Sequence, residues 1–267
     1  MKKSLFVLLL AALLAGPVLA QTAADHVRMG NEAFALLDDQ KALEHYQEAL
    51  KLEPENYEAL WKASRAMVDI ADVIPVTPAT KKDVEERQKK MYTEAVALAK
   101  KAVVADPNDT WGHFQLAASN GKRLLLLGKK EQIDASKAVR AEIDKALELD
   151  PTNHLAWHAL GRWHRRMDEI GGMKRALGSL IYGKIPKGSY AESEKALRKA
   201  IELRPEYVIH YLELGRTLVA LKMYDEAGEC FQKAIDLPKT TSKDDVVKAE
   251  AKTELDALAA KINKNKK

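Results

Sequence analysis

The chain has a single cysteine, Cys230, among its 267 residues. A disulfide framework needs cysteine pairs, so apolar packing must stabilise the fold, and we expect Cys230 to lie in a core. Charge of one sign is not in excess either, because 43 lysines and arginines stand against 39 aspartates and glutamates. This balance excludes the strongly basic character of a typical nucleic-acid-binding protein, so no nucleic acid is expected as a partner.

Motifs of catalysis and metal binding are missing as well. The sequence has no nucleophile elbow, no glycine-rich phosphate loop and no zinc-finger spacing. His154 and His158 have a spacing that can hold zinc on one helix face, but no glutamate sits beside the first histidine as in a metalloprotease. We interpret both as packing histidines, and we expect no enzyme activity, no metal and no cofactor.

Long hydrophobic runs are scarce, and one of them stands near the N-terminus. It extends from Leu5 to Ala15 behind Lys2 and Lys3, and it is shorter than the roughly 20 residues of a membrane-spanning helix. A basic start, an apolar run and small residues up to Ala20 are typical of a secretory signal peptide. The sequence therefore predicts cleavage near Ala20-Gln21 and an exported protein, periplasmic or secreted, with an uncleaved anchor as the alternative.

Four segments share one sequence pattern, in which a helix end is followed by proline and a new helix start. They are LKLEPENYEAL from Leu50, VVADPNDTWGH from Val103, LELDPTNHLAW from Leu147 and IELRPEYVIHY from Ile201, with a weaker copy ending at Leu237-Pro238. Proline cannot continue a helix, so each proline marks a turn between repeats. In a 34-residue unit with proline at position 32, a small residue at position 8 and an aromatic at position 24 recur, as in Gly30 with Tyr46 and Gly215 with Phe231.

This pattern predicts an all-α, right-handed solenoid of tetratricopeptide type, with about five helix pairs, lengthened middle helices and a C-terminal capping helix. The predicted organisation is a signal peptide at 1–20, a repeat domain at 21–262 and a basic tail at 263–267. The repeats are placed at about 23–56, 57–109, 110–153, 154–207 and 208–240, and the capping helix at 244–262. The apolar face of that helix is expected to contain Val246, Ala249, Leu255, Leu258, Ala259 and Ile262.

The run GRWHRRMDEIGGMKRALGSLIYGKIPKGSYAESEKALRKAIELRPEY, from Gly161 to Tyr207, and the later DLPKTTSKDD resemble the regulator of microtubule dynamics family. The resemblance covers roughly Ala23 to Ile262, and the insertion after Gly-Arg-Trp is its most specific part. That family includes a mitochondrial outer-membrane tether that interacts with a protein tyrosine phosphatase, and its members are described as microtubule-associated or organelle-contact proteins. Because the repeat domain of the tether binds phospholipids, the resemblance implies a binding domain with an enlarged, partly apolar concavity.

Basic and aromatic side chains occupy helix positions that commonly face the groove of such a solenoid. The predicted groove residues are Asn31, Phe34, Arg65, Trp111, Phe114, Lys122, His158, Arg162, Arg165, Arg166 and Arg216. Arginine offers a planar fork to carboxylate or phosphate. We therefore predict a non-catalytic scaffold that holds a protein or peptide partner, acidic in character, in its concave groove. The competing interpretation is that these arginines pair with glutamates of neighbouring helices.

A second hypothesis is the binding or carriage of a phospholipid or other amphiphile in an enlarged concave cavity. Apolar insertions at 70–76, 124–127 and 180–185 are candidates for the walls of such a cavity. Ordinary packing of lengthened helices is the competing interpretation of these insertions.

Overall fold

The computed structural model describes residues 21–265, so the predicted signal peptide lies outside the described range. Twelve α-helices and no strand make up this range. None of these helices has both the length and the hydrophobicity that crossing a bilayer requires. The helices are α1 (Ala23–Ala35), α2 (Asp39–Leu52), α3 (Tyr57–Asp72), α4 (Lys81–Ala105), α5 (Thr110–Leu124), α6 (Lys129–Leu149), α7 (His154–Asp168), α8 (Gly172–Tyr182), α9 (Tyr190–Leu203), α10 (Val208–Ala220), α11 (Tyr224–Asp236) and α12 (Asp244–Asn265).

The helices pack in consecutive pairs, which confirms the all-α tetratricopeptide solenoid. The pairs are α1 with α2, α3 with α4, α5 with α6, α7 with α9, and α10 with α11, while α12 packs against α10 and α11. The first helices of the later pairs, α3, α5, α7 and α10, also contact one another in sequence. In such a stack they form the concave face. The lengthening predicted for the middle repeats is present, since α4 has 25 residues and α6 has 21.

The shared sequence pattern around the prolines corresponds to the turns between helix pairs. The four prolines all lie in turns: Pro54, Pro107, Pro151 and Pro205. After three of these turns a side chain caps the next helix by accepting a hydrogen bond from a backbone N–H of its first turn. The capping residues are Asn56, Asp109 and Asn153. Proline ends one helix and the cap starts the next, so the turn is specified by local sequence.

Glycine at position 8 permits the close crossing of two helices in the first and last repeats. A Cβ atom added at Gly30 would lie 2.4 Å from the ring of Tyr46, and one added at Gly215 would lie 2.5 Å from the ring of Phe231. Both aromatic rings are buried in the resulting contact. The aromatic side chain thus fills the space that the missing side chain leaves.

The apolar core is divided along the stack. One large cluster fills the first two pairs and another fills α9 to α12. Cys230 is half-buried against the second cluster, in agreement with the expectation that it packs in a core. Burial raises the pKa of its thiol to about 11, so the thiolate is scarce at neutral pH.

The apolar face predicted for α12 is only partly correct. Val247, Ala251 and Leu258 are buried, with Leu255 and Ile262 packed beside them. The other residues predicted for this face are exposed instead, namely Val246, Ala249 and Ala259. Near the N-terminal end of the helix, the Lys248 ammonium donates hydrogen bonds to the backbone carbonyls of Ile235 and Leu237, which attaches this end to α11.

Candidate functional site

The segment before α12 crosses the concave face and reaches the first two repeats. Lys243 Nζ lies 2.6 Å from Asp69 Oδ1 and 3.6 Å from Asp72 Oδ2, both on α3. The neighbouring Ser242 hydroxyl donates a hydrogen bond to Asp39, at the start of α2. The concave groove is therefore not open from end to end.

A tight turn presents Lys243 to these carboxylates. The backbone N–H groups of Thr240 and Thr241 donate to Asp244 Oδ2 over 2.6 and 2.9 Å, which fixes the chain just ahead of α12. Burial alone would lower the pKa of Lys243, but Asp69 and Asp72 raise it above its ordinary value. The ammonium thus stays charged, and it links the last helix to the second repeat.

A cavity of about 690 Å³ remains in the concave face beside this crossing segment. Its wall combines the C-terminal ends of α3, α5 and α7 with parts of α4, α10 and α12. The lining residues are Asp72, Val73, Gln88, Tyr92, Lys122, Leu125, Leu126, Arg162, Arg165, Arg166, Ile209, Leu212, Glu213, Arg216, Val219, Lys243, Val246, Val247, Glu250 and Glu254. We call this cavity the concave pocket.

Glu213 is the electrostatic centre of the concave pocket. It is buried on α10 and forms an ion pair with the buried Arg165 of α7. Arg162 Nε lies 3.5 Å and Arg216 Nη1 lies 3.3 Å from Glu213 Oε1. Burial would raise the pKa of Glu213, but the guanidinium groups of Arg162 and Arg165 hold it well below its usual range. The carboxylate is therefore charged and holds three arginines in place.

Arg216 also makes contacts of a different kind with α12. Its Nη2 lies 2.8 Å from Glu250 and its Nε lies 2.9 Å from Glu254. These two carboxylates are four residues apart on one face of α12, and their side chains are 48% and 38% exposed. Because both carboxylates are partly exposed, breaking their ion pairs with Arg216 needs little free energy. A ligand carboxylate can therefore displace them from Arg216 more easily than it can displace Glu213 from the buried Arg165.

Lys122 completes the basic lining from α5. Its Nζ lies 2.6 Å from Asp72 Oδ2, and the Tyr92 hydroxyl donates to the same carboxylate over 2.7 Å. Burial is the main cause of the lowered pKa of Lys122, partly opposed by Asp72. Arg166 is exposed, and its ion pair with Glu169 is long at 3.4 Å. Five of the predicted groove residues thus meet in the concave pocket: Lys122, Arg162, Arg165, Arg166 and Arg216.

Three other predicted residues form a separate group in the first two repeats. The Arg65 guanidinium lies 4.0 Å from the centre of the Phe34 ring. Asn31 Oδ1 accepts hydrogen bonds from the Tyr46 hydroxyl over 3.0 Å and from Lys62 Nζ over 2.7 Å. These residues do not line the concave pocket, so the predicted groove residues are divided between two places.

The predicted aromatic residues pack between helices. Trp111 stacks on Trp61 with ring centres 5.4 Å apart, and its ring meets the edge of Phe114 at 6.2 Å. Phe114 is buried in a core cluster. The structure thus supports packing roles for both, with Trp111 between the second and third repeats and Phe114 between the third and fourth.

His158 belongs to a buried chain of three imidazoles. His154 Nδ1 lies 2.8 Å from His210 Nε2, and His210 Nδ1 lies 3.0 Å from His158 Nδ1. Burial lowers the pKa of His154 to about 4 and that of His158 to about 3, and it lowers the pKa of His210 strongly. Within residues 21–265, no group of three or more histidine, cysteine or acidic residues is arranged to hold a metal ion.

The sequence reasoning missed the acidic half of the site and Lys243. Glu213 stands between Leu212 and Leu214 on α10, and a glutamate inside an apolar stretch was the one available signal. Glu250 and Glu254 lie outside the apolar face predicted for the capping helix. No local pattern indicates that the chain ahead of α12 returns to α3.

The chain matches known proteins over most of its length. The profile of the family described as "Regulator of microtubule dynamics protein 1-3" matches residues 28–259. A mouse relative, regulator of microtubule dynamics protein 1, is 28% identical over 200 residues, covering 74% of this chain and 63% of the relative. The Caenorhabditis elegans protein of the same name is 27% identical over 159 residues, covering 60% of this chain and 70% of the relative. The chain spans less than two thirds of the length of the mammalian relatives.

One solved structure shows the same fold. A thermophilic tetratricopeptide repeat protein from Thermus thermophilus superimposes with a TM-score of 0.61, covering 86% of this chain and 98% of that chain at 16% identity. At this identity the likeness concerns the fold alone. The shared fold is a helical repeat solenoid of tetratricopeptide type.

The prediction of an exported protein, periplasmic or secreted, is wrong. The matching relatives are animal proteins named as regulators of microtubule dynamics, from mouse, cattle and Caenorhabditis elegans among others. The prediction depended on residues 1–20, which lie outside the described residues. A short apolar run behind two lysines is a compositional signal, and composition alone did not identify the compartment.

Proposed function

The chain belongs to the regulator of microtubule dynamics family, and we propose that it is a non-catalytic scaffold whose concave pocket holds an acidic segment of a partner protein. The observation that carries the proposal is the contact of Arg216 with Glu250 and Glu254 of α12. The pocket already binds two carboxylates presented four residues apart by a helix. A partner segment with the same spacing would meet the same donors.

The charge of the pocket favours an acidic ligand. Six basic side chains line it, namely Lys122, Arg162, Arg165, Arg166, Arg216 and Lys243, against four carboxylates, those of Asp72, Glu213, Glu250 and Glu254. When Glu250 and Glu254 move away, the basic excess increases and Arg216 loses two of its three acidic partners. Arginine binds carboxylates through paired, charge-assisted hydrogen bonds, which gives such a ligand a fixed orientation.

The apolar part of the wall favours a segment that also carries a bulky aliphatic side chain. Val73, Leu125 and Leu126 lie on one side of the cavity, and Ile209 and Val219 belong to α10. A cavity of about 690 Å³ is of the size of ordinary ligand sites, which lie at roughly 300–1,000 Å³. It accommodates a few side chains of a peptide, and a folded partner domain would remain outside.

Fewer observations support the alternative, the binding of a phospholipid or other amphiphile in the concave pocket. Val73, Leu125 and Leu126, which belong to two of the three apolar insertions, do line the pocket. Leu180 and Ile181 of the third insertion are exposed on α8 and do not line the concave pocket. Native mass spectrometry of the purified chain tests this alternative, because one bound phospholipid per chain, lost on Arg162→Gln with Arg216→Gln, would replace the peptide proposal.

A binding assay tests the proposal directly. The probe is a labelled helical peptide with two glutamates four residues apart beside a leucine, and its glutamine counterpart is the control peptide. Arg162→Gln with Arg216→Gln should weaken binding of the glutamate peptide at least about tenfold, since a charged hydrogen bond contributes about 1.5–3 kcal/mol. Arg198→Gln is the matched control, because Arg198 pairs with Glu194 on α9 and does not line the pocket. Equal binding of both peptides would contradict the proposal.

The names of the relatives direct the search for the natural partner. They describe regulation of microtubule dynamics, so proteins of the microtubule system are the first to test. Co-sedimentation with polymerised tubulin should be reduced by the same double variant and unchanged by Arg198→Gln. Sedimentation that is equal for all three proteins would direct the search to other partners.

A further inference from the structure

The helix α8 has its apolar side chains on the outside. Met173, Leu177, Leu180 and Ile181 are 80%, 60%, 84% and 73% exposed, and no residue of α8 is buried. Their spacing of four, three and one residues places them on one face of the helix. An amphipathic helix of a globular protein normally turns this face to the core, so the arrangement in α8 calls for a partner outside the described residues.

The opposite face of α8 is polar and attached to the body of the protein. Arg175 donates hydrogen bonds to the backbone carbonyl of Met167 over 2.6 Å and to that of Pro186. Ser179 Oγ accepts a hydrogen bond from the backbone N–H of Ile185 over 3.3 Å. These contacts fix which side of α8 points outward, so exposure of the apolar stripe is a property of the fold.

The surroundings of the stripe are basic. Between Glu169 and Glu192 the sequence has no acidic residue. Lys174, Lys184 and Lys187 are exposed in this stretch, and among the described residues none of the three forms an ion pair. An apolar stripe flanked by exposed lysines is typical of helices that lie in the interface of an anionic membrane.

We propose that α8 docks the protein on an anionic membrane surface, with Met173, Leu177, Leu180 and Ile181 inserted below the headgroups. The three lysines lie next to the stripe, where they meet the negative lipid headgroups. A second copy of the chain is a poorer occupant, because symmetric pairing of two α8 stripes would bring these lysines close to one another. An acidic partner protein is the remaining alternative, and the experiment separates it from the membrane.

This surface is separate from the concave pocket, because no residue of α8 lines the pocket. The inference therefore does not depend on the proposed function. Gly171 and Gly183, with φ of +68° and +79°, stand at the two ends of α8. Their left-handed backbone separates α8 from α7 and from the segment that leads into α9.

The first experiment is flotation of the full chain with vesicles of phosphatidylcholine containing about 30% phosphatidylserine. Leu180→Glu with Ile181→Glu should reduce the bound fraction at least about tenfold, because two charges would have to enter the apolar layer. Val104→Glu is the matched control, since Val104 is 83% exposed on α4, and it should bind as wild type does. Any attachment through other parts of the chain is the same in all three proteins, so the difference between wild type and the α8 variant measures the contribution of α8.

The second experiment is local. A nitroxide is placed at Leu180→Cys, and for comparison at Val104→Cys, in a Cys230→Ala background of the full chain. With the anionic vesicles, the label at 180 should become accessible to oxygen and protected from a polar nickel relaxant, while the label at 104 should stay in water. A label at 180 that stays in water, or equal flotation of wild type and the α8 variant, would overturn the proposal. The proposal would also be overturned if the protein binds no vesicles and the apolar stripe of α8 is instead protected in a soluble complex with another protein.

Discussion

Lys243, just ahead of α12, lies 2.6 Å from Asp69 on α3. This ion pair connects the end of the solenoid to its second repeat across the concave face. Asp72 shares the ammonium at 3.6 Å and has a lowered pKa, because Lys122 and Lys243 outweigh the effect of its burial. The concave surface is thereby reduced to one pocket with α12 as a wall.

Replacement of Lys243 by methionine should loosen the start of α12. The carboxylates of Asp69 and Asp72 would keep their burial and lose a cation, which costs about 2–4 kcal/mol of unfolding free energy. Hydrogen exchange of residues 240–250 should become faster, as measured by mass spectrometry. Lys239→Met is the control, because Lys239 is about half exposed beside Asp245, and it should change stability by less than about 0.5 kcal/mol. Equal effects of the two variants would show that the crossing contact is not important for the fold.

Glu213→Gln should destabilise the protein by about 3 kcal/mol, because the buried Arg165 would lose one of its two carboxylate partners and keep only the partly exposed Glu169. Arg162 and Arg216 are partly exposed and are expected to contribute less. Urea unfolding of the purified variant measures the loss. Glu148→Gln is the control, since Glu148 is 70% exposed and pairs with Lys145 on the surface of α6. A loss below about 1 kcal/mol would contradict the central role of Glu213.

Gly215→Ala and Gly228→Ala should have effects of opposite sign. The new Cβ at position 215 would lie 2.5 Å from the Phe231 ring, whereas at position 228 the nearest atom is 3.9 Å away. Overpacking at 215 should cost about 1–3 kcal/mol, and alanine at 228 should stabilise α11 by about 0.5–1 kcal/mol through its higher helix propensity. Thermal unfolding of both variants tests the prediction. Stabilisation by Gly215→Ala would show that the two helices separate more easily than the crossing indicates.

Stability should fall as the pH decreases from 7.5 to 5. Burial lowers the pKa of His158 to about 3 and that of His210 strongly, from an unfolded value of 6.5. The unfolded chain therefore takes up protons below pH 6.5 while the folded chain does not, so folding loses about 2 kcal/mol for His158 at pH 5, and His210 adds to the loss in the same direction. Urea unfolding at several pH values measures the slope. His158→Asn with His210→Asn should give a shallower slope, and a wild-type stability that is constant over this range would contradict the account.

Local sequence was sufficient to predict the repeat. Prolines such as Pro54 and Pro151 stop one helix, and the caps Asn56 and Asn153 start the next. The pairing of Gly30 with Tyr46 follows from their positions within one repeat. These features act between residues close in sequence, so they can be read without knowledge of the whole superhelix.

The contacts across the concave face could not be predicted in this way. Whether Lys243 reaches Asp69 depends on the curvature of the whole solenoid, which is the sum of small rotations between neighbouring repeats. Helical periodicity also placed Val246, Ala249 and Ala259 of α12 on the buried face, although they are exposed. It shows that a stripe is apolar, but it does not show whether a core, a pocket or an outside partner covers the stripe.

The competition between α12 and a ligand for Arg216 tests the central claim most directly. The measurement is the affinity of the labelled glutamate peptide for wild type, for Arg216→Gln and for Glu250→Gln with Glu254→Gln. If the concave pocket binds acidic segments, Arg216→Gln should weaken binding, and the double glutamine variant should strengthen it at least about threefold, because the internal carboxylates no longer compete. Equal affinity for all three proteins would contradict the claim that the concave pocket is the binding site.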